Sequence, residues 1–236
     1  HKENKGIIIY LPGFHANDLN VIFDVSHSEY LGDFVKDNNL TLITWEWPLQ
    51  GKRINSSLFQ NINSVYSAER EYTKILTLFG SCLFLEYINE LKFILKAIEI
   101  KFPKKEIITI GYSMGGFFSY FVPIINPNFS QIISIGSFNS FKNLLKSKKT
   151  KVHSQYFYPY NSAKYFDIDN IIYYLCKDIK KKVTIIFGDK DFNCSLGLKK
   201  SFEKRIKKFK NLKFKILTNH GHEFSKNILY IIKNEI

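Results

Sequence analysis

One serine in the sequence has the neighbours that a nucleophile needs. Ser113 is the centre of a Gly-x-Ser-x-Gly motif at residues 111–115, which follows an apolar, β-branched run at 107–110 and precedes a second apolar segment. A strand, this motif and a helix in that order predict a sharp turn that exposes the serine hydroxyl at the end of a sheet. The two glycines lack Cβ atoms, so strand and helix can approach each other closely. The helix N-terminus under the serine would stabilise developing negative charge. The pattern predicts a nucleophilic serine.

A serine hydroxyl also needs a base and an acid, and the chain has two candidates for each. Serine is a weak nucleophile unless an adjacent base takes its proton, and that base is usually a histidine oriented by a carboxylate. Asp189 and Asp191 directly follow one apolar run, and His220 and His222 follow the next. Both choices stay open on the residues alone.

The elements that must position these residues are strands alternating with helices. Six mostly apolar runs predict strands, at residues 6–11, 40–45, 107–110, 131–136, 183–187 and 214–217. The runs at 6–11, 107–110, 131–136 and 183–187 are those of buried core strands. Such alternation predicts an α/β fold: a three-layer α/β/α sandwich with a mostly parallel, doubly wound sheet. Ligands of such sheets bind at the carboxyl ends of the strands, where the candidate residues lie.

Helices are predicted between and after these strands. Apolar residues at three- and four-residue spacing, among them Leu76, Phe79, Leu83 and Tyr87, predict one long helix over 68–102, which Pro103 ends. One helix follows Ser113 and is succeeded by a turn at 123–128. A basic amphipathic helix is predicted at 196–210, and a closing helix at 225–235.

Residues 138–179 interrupt the alternation of strands and helices. This segment opens with lysines and continues with many tyrosines and phenylalanines. An insertion of this length between two core strands predicts a small cap over the site. Its aromatic side chains either line an apolar pocket for an acyl chain or ring, or pack the cap onto the core. No linker or repeat divides the chain, so a single domain, 1–236, is expected.

Together these motifs give the sequence a resemblance to the α/β-hydrolase superfamily of serine esterases, lipases and thioesterases. The motifs that carry it are Leu11-Pro12-Gly13-Phe14, Gly111-Tyr112-Ser113-Met114-Gly115, Gly188-Asp189-Lys190-Asp191 and Gly221-His222. The resemblance implies a nucleophile, a base, an acid and two backbone N–H donors of an oxyanion hole: Ser113, His222, Asp191, Phe14 and Met114. Asp189 and His220 are the alternatives for the acid and the base.

The activity that this resemblance implies is hydrolysis of a carboxylic ester of a small or medium acyl group through an acyl-enzyme. An acyl thioesterase, including one acting on carrier-bound chains, is the alternative with the same chemistry. A non-catalytic binding protein on the same fold is the alternative from another class. No cofactor and no metal are implied, and the expected partner is a small ester or thioester substrate.

The composition of the chain limits which partners and which cellular location are expected. The net charge of +13 comes almost entirely from lysine, because the only arginines are Arg53, Arg70 and Arg205. No nucleic-acid motif accompanies this charge, so no nucleic-acid partner is expected, whereas an acidic acyl carrier protein would suit it. The three cysteines lie far apart, which favours reduced thiols and a cytoplasmic location. No apolar run has the length of a membrane span.

Overall fold

Six parallel strands form the centre of the computed structural model, which describes residues 6–13, 31–50, 53, 65–103, 105–137, 167–191 and 209–236. The strands are β1 Gly6–Leu11, β2 Leu40–Ile43, β3 Ile107–Tyr112, β4 Phe129–Ile135, β5 Lys182–Gly188 and β6 Leu212–Leu217. Their order across the sheet of the described residues is β2-β1-β3-β4-β5-β6, and every neighbouring pair is parallel. The predicted parallel sheet is confirmed.

Helices cover both faces of this sheet. They are α1 Gly32–Asp37, α2 Val65–Leu78, α3 Leu83–Lys101, α4 Met114–Ser119, α5 Val122–Ile125, α6 Ile168–Lys177 and α7 Lys226–Glu235. Successive side chains of a strand point to opposite faces. In β1, Ile7 and Ile9 therefore join a core with α3, α4 and α6, whereas Ile8 joins a second core with α1 and α7. The three-layer α/β/α sandwich is confirmed.

The predicted single helix over 68–102 is wrong. The chain forms α2 and α3 there, separated by four residues around Gly80, which has a φ of +70°. Phe79, expected on the buried stripe, is 82% exposed, whereas Leu83 and Tyr87 are buried. The apolar spacing continues across the turn, so periodicity alone does not reveal a break that a left-handed glycine makes.

The helix after Ser113 is also interrupted, in contrast to the prediction. It ends at Ser119, and a separate short helix, α5, begins at Val122 with Pro123 in its first turn. The segment from 123 was expected to be a turn. Proline is tolerated in a first helical turn because the N–H it lacks has no intrahelical acceptor there.

Several predicted features fall on residues outside the described part of the chain. These are Phe14, Cys194, residues 138–166 of the predicted cap and residues 196–208 of the basic helix. The remainder of the cap range contains α6, whose Ile172 and Leu175 are fully buried against the sheet. The cap and the single-domain organisation stay predictions.

Two of the cysteines lie in the described residues. Cys82 and Cys176 are buried free thiols, and burial raises the pKa of Cys176 to about 12.

None of the helices in the described ranges is both long and apolar enough to span a bilayer.

Candidate active site

The backbone at Ser113 makes a sharp turn between β3 and α4. Ser113 has φ 52° and ψ −112°, a conformation that non-glycine residues rarely adopt. Two hydrogen bonds hold it: the Ser113 N–H donates to Ile135 O at 2.8 Å, and Phe117 N–H donates to Ser113 O at 3.1 Å. Hydrogen bonds to β4 and to α4 thus fix this turn in its strained conformation. Such strain persists only where the surrounding structure holds it. The strained elbow expected from the motif is present.

Gly115 allows the helix to pass close to β1. A Cβ atom built on Gly115 would lie 1.9 Å from Leu11 O, and one built on Gly111 would lie 2.2 Å from Gly115 O. These are backbone atoms, which cannot rotate away as a side chain can. The close approach expected of these two glycines is therefore required by the packing.

We expect Gly115→Ala to lower the free energy of unfolding by about 3 kcal/mol or more, because the methyl group forces apart α4 and β1. Urea denaturation followed by circular dichroism measures this change. Gly6→Ala is the matched control, since its Cβ would meet its nearest atoms at 3.5 Å, an ordinary contact. Equal destabilisation by the two substitutions would contradict the role of close packing at Gly115.

His222 and Asp191 form a hydrogen-bonded chain that ends at Ser113. His222 Nε2 lies 2.9 Å from Ser113 Oγ, and His222 Nδ1 lies 2.9 Å from Asp191 Oδ2. The Asp191 side chain is 1% exposed, and the His222 side chain is 17% exposed. A carboxylate only accepts hydrogen bonds, so Nδ1 carries the proton and the Nε2 lone pair faces the serine hydroxyl. This arrangement can remove a proton from Ser113.

Tyr112 contacts His222 and Gly136 leaves space for the His222 ring; the sequence analysis assigned neither residue to the site. The Tyr112 hydroxyl donates to His222 O at 2.9 Å, and the two rings stack with centroids 5.5 Å apart. Gly136 has φ +51°, and a Cβ there would lie 3.1 Å from the His222 ring. Gly136 directly follows a core strand at the edge of the sheet where the site lies, and this position could have indicated a role at the site. Tyr112 occupies a freely variable position of the motif and offered no signal.

Asp189 and His220, the alternative acid and base, connect loops instead of contacting the serine. Asp189 Oδ1 accepts a hydrogen bond from the His220 backbone N–H at 3.2 Å. His220 Nε2 lies 2.7 Å from Ser225 Oγ, and Ser225 is the N-cap of α7. Among the described residues neither alternative hydrogen-bonds to Ser113. They join the loops after β5 and β6 to α7.

Of the two predicted oxyanion donors, the structure describes one. Met114 is the first residue of α4, where backbone N–H groups lack intrahelical acceptors. Phe14 lies outside the described residues, but Gly13 before it packs against the elbow, since a Cβ there would lie 3.3 Å from Ser113 Cβ. The loop after β1 therefore reaches the nucleophile.

Comparison with solved structures identifies the fold. The chain aligns with the Pyrococcus furiosus esterase Pf2001 at a TM-score of 0.64 and 14% identity, covering 100% of this chain and 80% of that one. Est1E from Butyrivibrio proteoclasticus, solved with ferulic acid bound, aligns at a TM-score of 0.59 and 13% identity, covering 98% and 86%. Esterase PE8 aligns at 0.57 and 14% identity, covering 98% and 91%.

The protein has the α/β-hydrolase fold, as its motifs predicted. No protein-family model matches the sequence, and the comparison with curated proteins finds no match.

Proposed function

We propose that this protein is a serine hydrolase that cleaves carboxylic esters of small or medium acyl groups. One observation carries the proposal: Asp191, His222 and Ser113 are joined by two hydrogen bonds of 2.9 Å at the carboxyl edge of the sheet. Similar solved structures include the esterases Pf2001 and PE8, which supports an ester substrate. A binding protein on this fold would have no need of a buried carboxylate, a histidine and a strained serine in register.

The proposed reaction proceeds through an acyl-enzyme. Ser113 Oγ attacks the ester carbonyl carbon while His222 Nε2 takes the hydroxyl proton. Asp191 stabilises the resulting imidazolium, and the N–H groups of Met114 and Phe14 bind the oxyanion. The tetrahedral intermediate expels the alcohol, which takes its proton from His222. Water, deprotonated by His222, then attacks the acyl-enzyme and releases the acid with Ser113 restored.

A fluorophosphonate probe tests this proposal without knowledge of the substrate, because it reacts only with an activated serine. We expect intact-mass analysis to show one equivalent of label on the wild-type protein and none on Ser113→Ala. Ser81→Ala, on the turn between α2 and α3, is the control that keeps the label. Folded wild-type protein that takes no label, or a label that persists in Ser113→Ala, would refute the proposal.

The acyl thioesterase alternative uses the same groups and differs only in the leaving group. Rates on p-nitrophenyl acetate, butyrate and octanoate, compared with the corresponding acyl thioesters, separate the two activities. The acidic carrier partner and the cytoplasmic location stay predictions.

A further inference from the structure

A buried polar cluster lies behind the elbow, on the side of the sheet that carries α3. It consists of Gln50, Glu69 and Tyr87, which are 0%, 4% and 0% exposed. Burying polar groups costs free energy unless hydrogen bonds compensate. Among the described residues the Gln50 side-chain oxygen has no hydrogen-bond partner, and the Tyr87 hydroxyl lies 3.4 Å from Glu69 Oε1. The proposed hydrolytic mechanism uses none of the three.

The segment that touches this cluster also contacts Met114 and the chain just before Phe14, the two proposed oxyanion donors. We call residues 47–50, which follow β2, the support segment, and residues 12–13, which directly precede Phe14, the oxyanion loop. Trp47 Nε1 donates to Pro12 O, in the oxyanion loop, at 2.9 Å. Gln50 Nε2 lies 3.9 Å from the sulfur of Met114, the residue after the nucleophile. A shift of the support segment would therefore displace Met114 and the oxyanion loop.

Tyr87 holds the support segment from behind. Its hydroxyl lies 2.9 Å from Pro48 O, and its ring centroid lies 5.3 Å from that of Trp47 in an edge-to-face contact. The hydroxyl carries a single hydrogen and faces two acceptors, Pro48 O and Glu69 Oε1. It can donate fully to only one of them, and an ionised carboxylate is the stronger acceptor.

Glu69 is placed to change its charge near physiological pH. Burial raises the pKa of Glu69 to about 8, and the hydrogen bond from Tyr87 offsets only part of that rise. In the described ranges no lysine or arginine forms an ion pair with Glu69. The other titratable and charged groups with described side chains on α2, the helix of Glu69, are Arg70, Glu71, Tyr72 and Lys74. On the facing elements, Tyr87 hydrogen-bonds to Glu69, and the Arg53–Glu90 ion pair lies beside Tyr87.

We propose that Glu69 is a positioning residue whose protonation decides whether Tyr87 donates its hydrogen bond to the support segment, an inference that rests on the proposed hydrolytic function. With Glu69 neutral, Tyr87 donates to Pro48 O and the support segment holds the oxyanion loop. With Glu69 ionised, the carboxylate takes the Tyr87 hydrogen, Pro48 O loses its donor, and the support segment loosens. Raising the pH through the titration of Glu69 therefore weakens oxyanion stabilisation.

Tryptophan fluorescence tests the structural half of this proposal without any activity. The chain has two tryptophans, Trp45 and Trp47, so the signal reports the support segment and its neighbour. Between about pH 6 and about pH 10 we expect a transition with its midpoint near pH 8 in the wild-type protein and none in Glu69→Gln. Glu71→Gln is the matched control, because Glu71 is a partly exposed carboxylate on the same helix. A missing transition, or one that persists in Glu69→Gln, would overturn the proposal.

The rate of fluorophosphonate labelling at Ser113 tests the functional half. We expect the ratio of the Glu69→Gln rate to the wild-type rate to rise about tenfold from neutral to alkaline pH, since small displacements of oxyanion donors are costly. Tyr87→Phe removes the shared hydrogen, so the ratio of the wild-type rate to the Tyr87→Phe rate should be about ten at neutral pH and fall toward one at alkaline pH. This comparison serves even if Glu69→Gln fails to fold.

The two assays together separate failure of this inference from failure of the proposed function. A fluorescence transition without labelling of any variant would refute the proposed hydrolase activity and support the proposed effect of Glu69 on the support segment. Labelling with a constant rate ratio would retain the hydrolase and refute the link from Glu69 to the oxyanion loop.

Discussion

His222→Ala is expected to lower kcat for p-nitrophenyl acetate about 10⁶-fold, because removing the base leaves the Ser113 hydroxyl protonated and weakly nucleophilic. The imidazole lies 2.9 Å from Ser113 Oγ and 2.9 Å from Asp191 Oδ2. A single substitution therefore breaks both hydrogen bonds of the chain. The remaining rate would come from substrate binding and the oxyanion donors. Steady-state kinetics on folded protein, checked by circular dichroism, measures the loss.

His220→Gln is the matched control for this substitution. His220 Nε2 contacts Ser225 Oγ at the N-cap of α7, and a glutamine amide can donate a hydrogen bond to the same oxygen. We expect this variant to unfold at a lower temperature while it keeps most of the wild-type kcat. A folded His220→Gln protein as inactive as His222→Ala would reverse the assignment of the base.

Asp191→Asn is expected to reduce kcat/KM about 10⁴-fold. Asparagine has nearly the shape of aspartate, but its amide can donate to Nδ1 and so favours the imidazole tautomer with the proton on Nε2. That tautomer presents a hydrogen to Ser113 where a lone pair is needed. The uncharged amide also fails to stabilise the imidazolium. The side chain is almost fully buried, so water has little access to replace it.

Asp189→Asn provides the comparison, with the same change of atoms two residues away. Asp189 Oδ1 accepts the His220 backbone N–H, and the asparagine carbonyl oxygen can still accept it. We expect kcat/KM of this variant to stay near the wild-type value. If Asp189→Asn lost more activity than Asp191→Asn, the proposed acid would be wrong.

Much of the fold follows from local pattern. A strand buried on both faces requires a continuous apolar run, as in β1, β3, β4 and β5, whereas the outer strands β2 and β6 of the described sheet are only partly buried. Each predicted run matches a strand to within two residues at either end. Because helices alternate with these strands, the sequence predicts that the strands pair in parallel. The break between α2 and α3 at Gly80 was not predicted, because the spacing of apolar residues indicates which side chains are buried but not where the backbone turns.

The proposed nucleophile can be located from the sequence because the turn between β3 and α4 requires particular residue types. The strained serine lies where β3 and α4 meet, and Gly115 lies where α4 passes close to β1; the two positions are only two residues apart. The sequence by itself therefore determined the position of Ser113 and the edge of the sheet where its partners lie.

Only the tertiary structure shows which of the paired candidates for acid and base join a hydrogen-bonded chain with Ser113. His220 and His222 are two residues apart after the same strand, as are Asp189 and Asp191. Which of each pair faces Ser113 depends on how the loops after β5 and β6 pack against Gly136 and Tyr112. Those contacts join residues up to 110 positions apart in the chain. The residues adjacent to each candidate in the sequence do not predict these long-range contacts, because the neighbours that orient a side chain are brought to it only by folding.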